Sequence, residues 1–90
     1  MGMKIEFDPA KNRRNVAFGR PSFELVADFD LDSALIVEDD RHDYGEVRYR
    51  AIGRMGAIIA VLIFTMRGEV LRVISLRIAN RKERKSYDKT

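Results

Sequence analysis

The sequence predicts an α+β domain in which a small antiparallel sheet packs against N-terminal helices and a short basic helix closes the chain. Three observations carry this. The stretch "AIIAVLIFT" is apolar on both parities, as a strand buried on two faces must be. The stretches "VRYRAIG" and "EVLRVISLRIA" flank it at hairpin distance, so the three should pair as an antiparallel meander. Two amphipathic segments precede them, too short to be stable in water without a sheet to cover.

Taken in order, "KIEF" alternates polar and apolar residues and reads as a short strand with Ile5 and Phe7 on one face. Asp8 offers an N-cap oxygen, and Pro9 suits the first helical position, where its missing N–H costs nothing. A helix is predicted from Pro9 to about Phe18, carrying Lys11, Arg13 and Arg14 and ending near Gly19. Pro21 resets the chain, and Ser22 can cap a second helix over "FELVADF", with Phe23, Val26 and Ala27 as its apolar stripe and Phe29 extending the contact. "ALIVEDDRHDYGE" is a short apolar segment, an extra strand at 34–38, followed by a polar turn. In "VRYRAIG", Val47, Tyr49 and Ala51 face one way, and Glu46, Arg48 and Arg50 the other. Arg67-Gly68 is the hairpin turn. On the returning strand Val70, Arg72, Ile74, Leu76 and Ile78 share one parity, and Leu71, Val73, Ser75 and Arg77 share the other. Asn80 then caps a short polar helix running to about Asp88. The order is βααβββα plus the extra strand. The face of the sheet away from the early helices should be the more open one.

Ninety residues make one domain, 1–90. With 46% hydrophobic and 34% charged residues the chain can build a core, which excludes a disordered class. The absence of cysteine excludes disulfides and thiolate metal sites and points to a reducing, cytoplasmic setting. The longest apolar run, Ala57 to Thr65, is too short to span a membrane, and "MGMKIEFD" lacks the apolar run of a secretory signal. There is no P-loop or dinucleotide fingerprint. A single histidine argues against zinc, and the acidic "DFDLDSALIVEDD" lacks the glycine spacing of a calcium loop. No metal or cofactor is therefore expected.

The net charge of +3 conceals a strong polarity. Residues 21–46 hold nine acids and one base; residues 47–90 hold eleven bases and three acids. A one-sided positive surface would attract a polyanion; the alternative is a solvated face with no ligand.

The fragments "FDPAK", "VEDDRHDYGEVRYRAIG", "LIFTMRG" and "RVISLRIANRKERKSYD", in this order from about Lys4 to Asp88, resemble the BrnT toxins of bacterial type II toxin–antitoxin operons. The resemblance implies a RelE-like fold, with a concave basic face on the sheet. It implies an endoribonuclease that inhibits translation and is held in check by a cognate BrnA-like antitoxin. A homodimer or a higher toxin–antitoxin assembly is compatible with it. Two departures stand out. The family's "KHG" reads Phe18-Gly19-Arg20 here, and its "ARRATRRER" reads "LRIANRKER", which keeps Arg77, Arg81, Glu83 and Arg84 but has Ile78 in place of an arginine. These departures keep a second reading open: a degenerate module that binds RNA or antitoxin without cutting.

RNA is cut without a metal when its 2′-OH attacks the neighbouring phosphorus. The enzyme must take that proton, steady the added negative charge and protonate the leaving 5′-oxygen. His42 is the only histidine and the side chain nearest neutrality; the alternative for it is a turn-stabilising role. Glu46 could orient His42, act as base, or pair with an arginine across the sheet, and pairing ranks first. Arg48, Arg77 and Arg81 are the expected charge stabilisers, because the guanidinium fork grips phosphate at two points. Arg77, inside "VISLRIA", needs a partner or an open cleft. Lys11, Arg50, Arg72, Arg84 and Lys85 complete the expected RNA contacts. Tyr87 is either a base-stacking residue or a packing anchor, packing being favoured. An antitoxin would lay an acidic, apolar segment near Arg77 and the C-terminal helix, with Val16 and Phe18 adding apolar contact.

Overall fold

The structure is a computed structural model and describes residues 3–41, 43 and 45–89. Among these residues the strands are β1 (Lys4–Glu6), β2 (Leu35–Glu38), β3 (Tyr49–Met55), β4 (Ile58–Arg67) and β5 (Val70–Ile78). They form one sheet in the order β1-β5-β4-β3-β2. Two α-helices accompany it, α1 (Pro9–Ala17) and α2 (Arg81–Asp88), with a 3₁₀-helix at Phe23–Asp28.

The predicted meander is present. β3 and β4 pair antiparallel from Tyr49–Phe64 to Met55–Ile58, and β4 and β5 from Ala60–Ile78 to Arg67–Val70. β2 adds to the free edge of β3, antiparallel. β1 lies on the other edge and runs parallel to β5, so the sheet is mixed. No hairpin joins β1 to β5, so loop length does not dictate an antiparallel direction. Running parallel lets the chain continue past Glu6 along the open edge of β5.

α1 occupies that edge, and it differs from expectation. Its one buried residue is Asn15, whose amide donates to the carbonyls of Leu76 (3.0 Å) and Pro21 (2.8 Å). Asn12 accepts the backbone N–H of Phe23 at 2.8 Å. Polar side chains therefore dock this helix onto a backbone carbonyl of the sheet edge and onto backbone groups at the entry to the following 3₁₀-helix. Val16 and Phe18 remain 49% and 82% exposed.

The predicted second α-helix is a 3₁₀-helix, with Leu25 N–H bonding to Ser22 O and Phe29 N–H to Val26 O. The reason lies in the spacing. Phe23, Val26 and Phe29 recur every three residues, and at three residues per turn they form one buried line. Ala27, which an α-helical stripe would have buried, is exposed. This line packs on the first face of the sheet with Ala51, Leu62, Phe64, Leu71, Val73 and Leu76. Phe7 meets Phe23 edge-on at 5.6 Å, and Tyr49 stacks on Phe64 at 5.4 Å. Gly53 is required there, because a Cβ would lie 2.9 Å from the Phe29 ring.

The second face is not left open along its whole length. Ile52, Val61 and Ala79 are buried there, with Leu35, Ile59, Ile63 and Tyr87 packed around them. Asn80 caps α2 as predicted and forms a reciprocal capping box with Glu83.

β5 carries the main correction. Ile63 pairs with Ser75, but Phe64 pairs with Val73, so Ile74 is a bulge residue without a partner on β4. Strict alternation therefore fails at this point. Leu71, Val73 and Leu76 all enter the first-face core, although the sequence parity separates Leu76 from the other two. Arg72, Ser75 and Arg77 all pair with the alternating Thr65, Ile63 and Val61, and so share the second face. The apolar pattern drives this, since a regular strand would have exposed Leu76 to bury Arg77.

Candidate nucleic-acid interface

The rows of the sheet place the arginines. Arg50, Ile63 and Ser75 form one cross-strand row on the second face, and Ile52, Val61 and Arg77 form the next. A cleft of about 290 Å³ opens on this face. α2 packs over the apolar part of this face through Tyr87, and Arg50 lies between α2 and the cleft, lining spaces with both. Ile63, Ile74 and Ser75 line the cleft together with the charged groups. Among the described residues these are five guanidinium groups, from Arg20, Arg41, Arg48, Arg50 and Arg77, and one carboxylate, from Asp39.

Each arginine is held differently. Arg77 makes two hydrogen bonds of 2.7 Å to both carboxylate oxygens of Glu83. This pairing raises the Arg77 pKa further and holds the Glu83 carboxyl well below its ordinary 4.5, at about 2; the Asn80 N–H assists, against the cost of burial. The partner that Arg77 required is thus supplied by α2. Arg41 grips the buried Asp39 in the same two-point manner, at 2.7 and 2.9 Å. The Asp39 N–H donates to Arg48 O at 2.7 Å, tying the end of β2 to the approach of β3. Arg48 meets Glu46 at 3.3 Å, and Arg67 reaches the same carboxylate at 3.9 Å. Glu46 thus pairs with an arginine two residues along and, more loosely, with one on β4. Among the described residues Arg20 and Arg50 form no ion pair within 4.0 Å. Their donors are the ones open to an incoming anion.

The structure therefore gathers Arg48, Arg50 and Arg77 into one cleft with Glu46 beside them. His42 lies outside the described residues. Lys11 lines a neighbouring groove with Arg14 and Arg20. Arg72, on the same face, is paired to Glu6 at 3.2 Å and lies outside the cleft lining. The α2 residues do not converge there. Arg81 and Lys85 are exposed, and Arg84 caps the Ala79 carbonyl at 3.1 Å. Tyr87 packs against the second-face cluster, with its Oη 3.2 Å from Ser33 Oγ. Sequence reading did not single out Arg20, Arg41 or Asp39 as site residues. Arg41 was visible as the lone base in an acidic stretch, whereas Arg20 reaches the cleft only through the turn after α1.

Chemically, the arrangement could hold an anion: it brings together fixed cations, two of them without ion pairs among the described residues, with Ile63, Ile74 and Ser75. Comparison with protein-family models matches residues 7–83 to the ribonuclease toxin, BrnT, of type II toxin–antitoxin systems. The chain belongs to the BrnT family. It is accordingly a ribonuclease toxin, and the family implies an RNA substrate and a cognate antitoxin. The BrnT match spans every element from α1 to β5 and ends at Glu83, the partner of Arg77. Comparison with curated proteins finds no match. Among the described residues no helix is long and apolar enough to cross a membrane.

Proposed function

We propose that the arginine cleft holds the scissile phosphate and that cleavage there is internal to the RNA strand and metal-independent, with the guanidinium groups supplying the positive charge that a metal would otherwise bring. The observation carrying this is the convergence of five arginines on one cleft of the sheet's second face, two of them without ion pairs among the described residues. Arg50 is the principal phosphate ligand. Arg48 and Arg77, held in place by Glu46 and Glu83, meet the charge that develops on the phosphoryl oxygens. Glu46, which is paired with Arg48, takes the 2′-OH proton, and His42 completes the proton transfer. Arg81, Arg84, Lys85 and Arg72 guide the strand at longer range, and the resulting cleavage inhibits translation in the cytoplasm, where the RNA is met. Tyr87 serves α2 packing. A BrnA-like antitoxin silences the toxin by laying an acidic segment over the same cleft.

The test is incubation of purified protein with bare RNA, with and without a chelator, beside Arg50→Ala. The expected result is cleavage that survives the chelator and falls on the order of a hundredfold in the variant, with unchanged thermal unfolding. Loss of cleavage to chelator with rescue by a divalent ion would refute the metal-free mechanism. Binding without cleavage would make the cleft a binding module only.

A further inference from the structure

We infer that Phe18 forms a base-stacking subsite beside the arginine cleft, taking the nucleobase next to the bound phosphate; this rests on the reading of the cleft as the RNA site. α1 ends in a Schellman cap. Gly19, at φ +81°, donates its N–H to Val16 O at 2.9 Å, and Arg20 donates to Asn15 O at 3.1 Å. An apolar contact between the two ends of such a cap often shields it. Here those ends are Arg20 and Asn15, and the Asn15 amide ties the turn to β5 through Leu76 O instead. The backbone on both sides of Phe18 is therefore fixed, while the residue is 82% exposed.

That ring borders a groove of about 200 Å³ whose cations are Lys11, Arg14 and Arg20 and whose lining, among the described residues, includes no carboxylate. Arg20, Ile74 and Ser75 line both this groove and the arginine cleft, so the two spaces adjoin. The β5 bulge leaves Ile74 unpaired at the place where they meet. A single strand with one phosphate among the arginines would carry its next nucleotide into this groove. A base offers a flat face to Phe18, and its flanking phosphates meet the rim cations. Stacking of this kind tolerates any base, since each has a π-face.

Phe18→Trp would place the chain's sole tryptophan at the subsite. The probes are a short 2′-O-methyl oligonucleotide, whose blocked 2′ oxygen prevents cleavage, and an abasic sugar–phosphate oligomer of equal length. Saturable quenching by the first and none by the second is expected. Phe18→Ala should weaken oligonucleotide binding by roughly tenfold, raise KM more than it lowers kcat, and leave abasic binding unchanged; Phe18→Tyr should restore both. Equal oligonucleotide affinity in wild type and Phe18→Ala would overturn the subsite while leaving the cleft in place. Unchanged RNA affinity with weakened antitoxin association would overturn it in favour of a protein contact. Failure of the wild type to bind any oligonucleotide would remove the cleft and the subsite together.

Discussion

Arg77 and Arg50 differ in kind although both line the cleft. Arg77 has its fork filled by Glu83, so removing it deletes a charge near the phosphate and also strands a partly buried carboxylate. Arg77→Ala should lower stability by roughly 2 kcal/mol as well as impairing cleavage, measured by urea unfolding beside cleavage rate at saturating RNA. Arg50→Ala should impair cleavage with stability changed by less than about 0.5 kcal/mol. Arg77→Lys should recover little of either property, because an ammonium cannot make both 2.7 Å bonds. A double-mutant cycle with Glu83→Ala should give a coupling of about 1–3 kcal/mol, and a coupling near zero would mean that the pair does not hold Arg77.

At the scale of elements, α2 is fastened to the sheet through Glu83, which both closes the capping box and grips Arg77. The Glu83 carboxyl titrates at about 2 in the folded chain, against an ordinary 4.5. Its depressed pKa means that the pairing contributes fully above about pH 4.5 and is lost as pH falls towards 2. Thermal unfolding temperature should therefore decline across this window. Glu83→Gln should start lower and decline less; parallel curves would show that other carboxyls account for the acid loss. The bulge makes a second element-scale prediction. Deleting Ile74 removes the extra residue and leaves a regularly alternating strand with Leu71, Val73 and Leu76 still on the first face and Arg77 on the second, so the domain should stay folded. Ile74→Ala should cost only about 1 kcal/mol; circular dichroism with urea titration checks both, and loss of folding on deletion would refute this reading of the bulge.

Across the whole molecule, the acids of residues 21–46 and the bases of residues 47–90 do not stay apart in space. Asp39 and Glu46 come from the acidic stretch to hold Arg41 and Arg48 in position. The surface that remains positive is narrower than the charge count implies, and it runs from Arg50 and Arg77 past Arg20 to Lys11. RNA affinity should fall linearly on a log–log plot against salt, with a slope of about −0.7 for each phosphate neutralised. Lys85→Ala, on exposed α2 away from the cleft, should reduce that slope by less than Arg50→Ala does. Titrations at several salt concentrations decide this, and equal slopes would spread the RNA path over α2.

The sequence by itself determined the elements and much of their order. The apolar run of β4, the hairpin spacing around it, the Asp8, Ser22 and Asn80 caps and the family's motifs are local signals, each readable from a few adjacent residues. It also singled out Arg48 and Arg50 by the polar parity they share, and Arg77 because a charge inside an apolar strand demands a partner or an opening. Only the tertiary structure decided which arginines meet. The bulge at Ile74 moved Arg72 and Arg77 to one face, Glu83 filled the fork of Arg77, and the turn after α1 delivered Arg20, far away in sequence, to the β5 side of the cleft. A bulge responds to the summed burial of Leu71, Val73 and Leu76 against the opposite layer, a cooperative packing energy that period-two alternation does not record. The 3₁₀-helix was hidden for a related reason: its three-residue spacing suits both helix types until Phe29 must lie over Gly53.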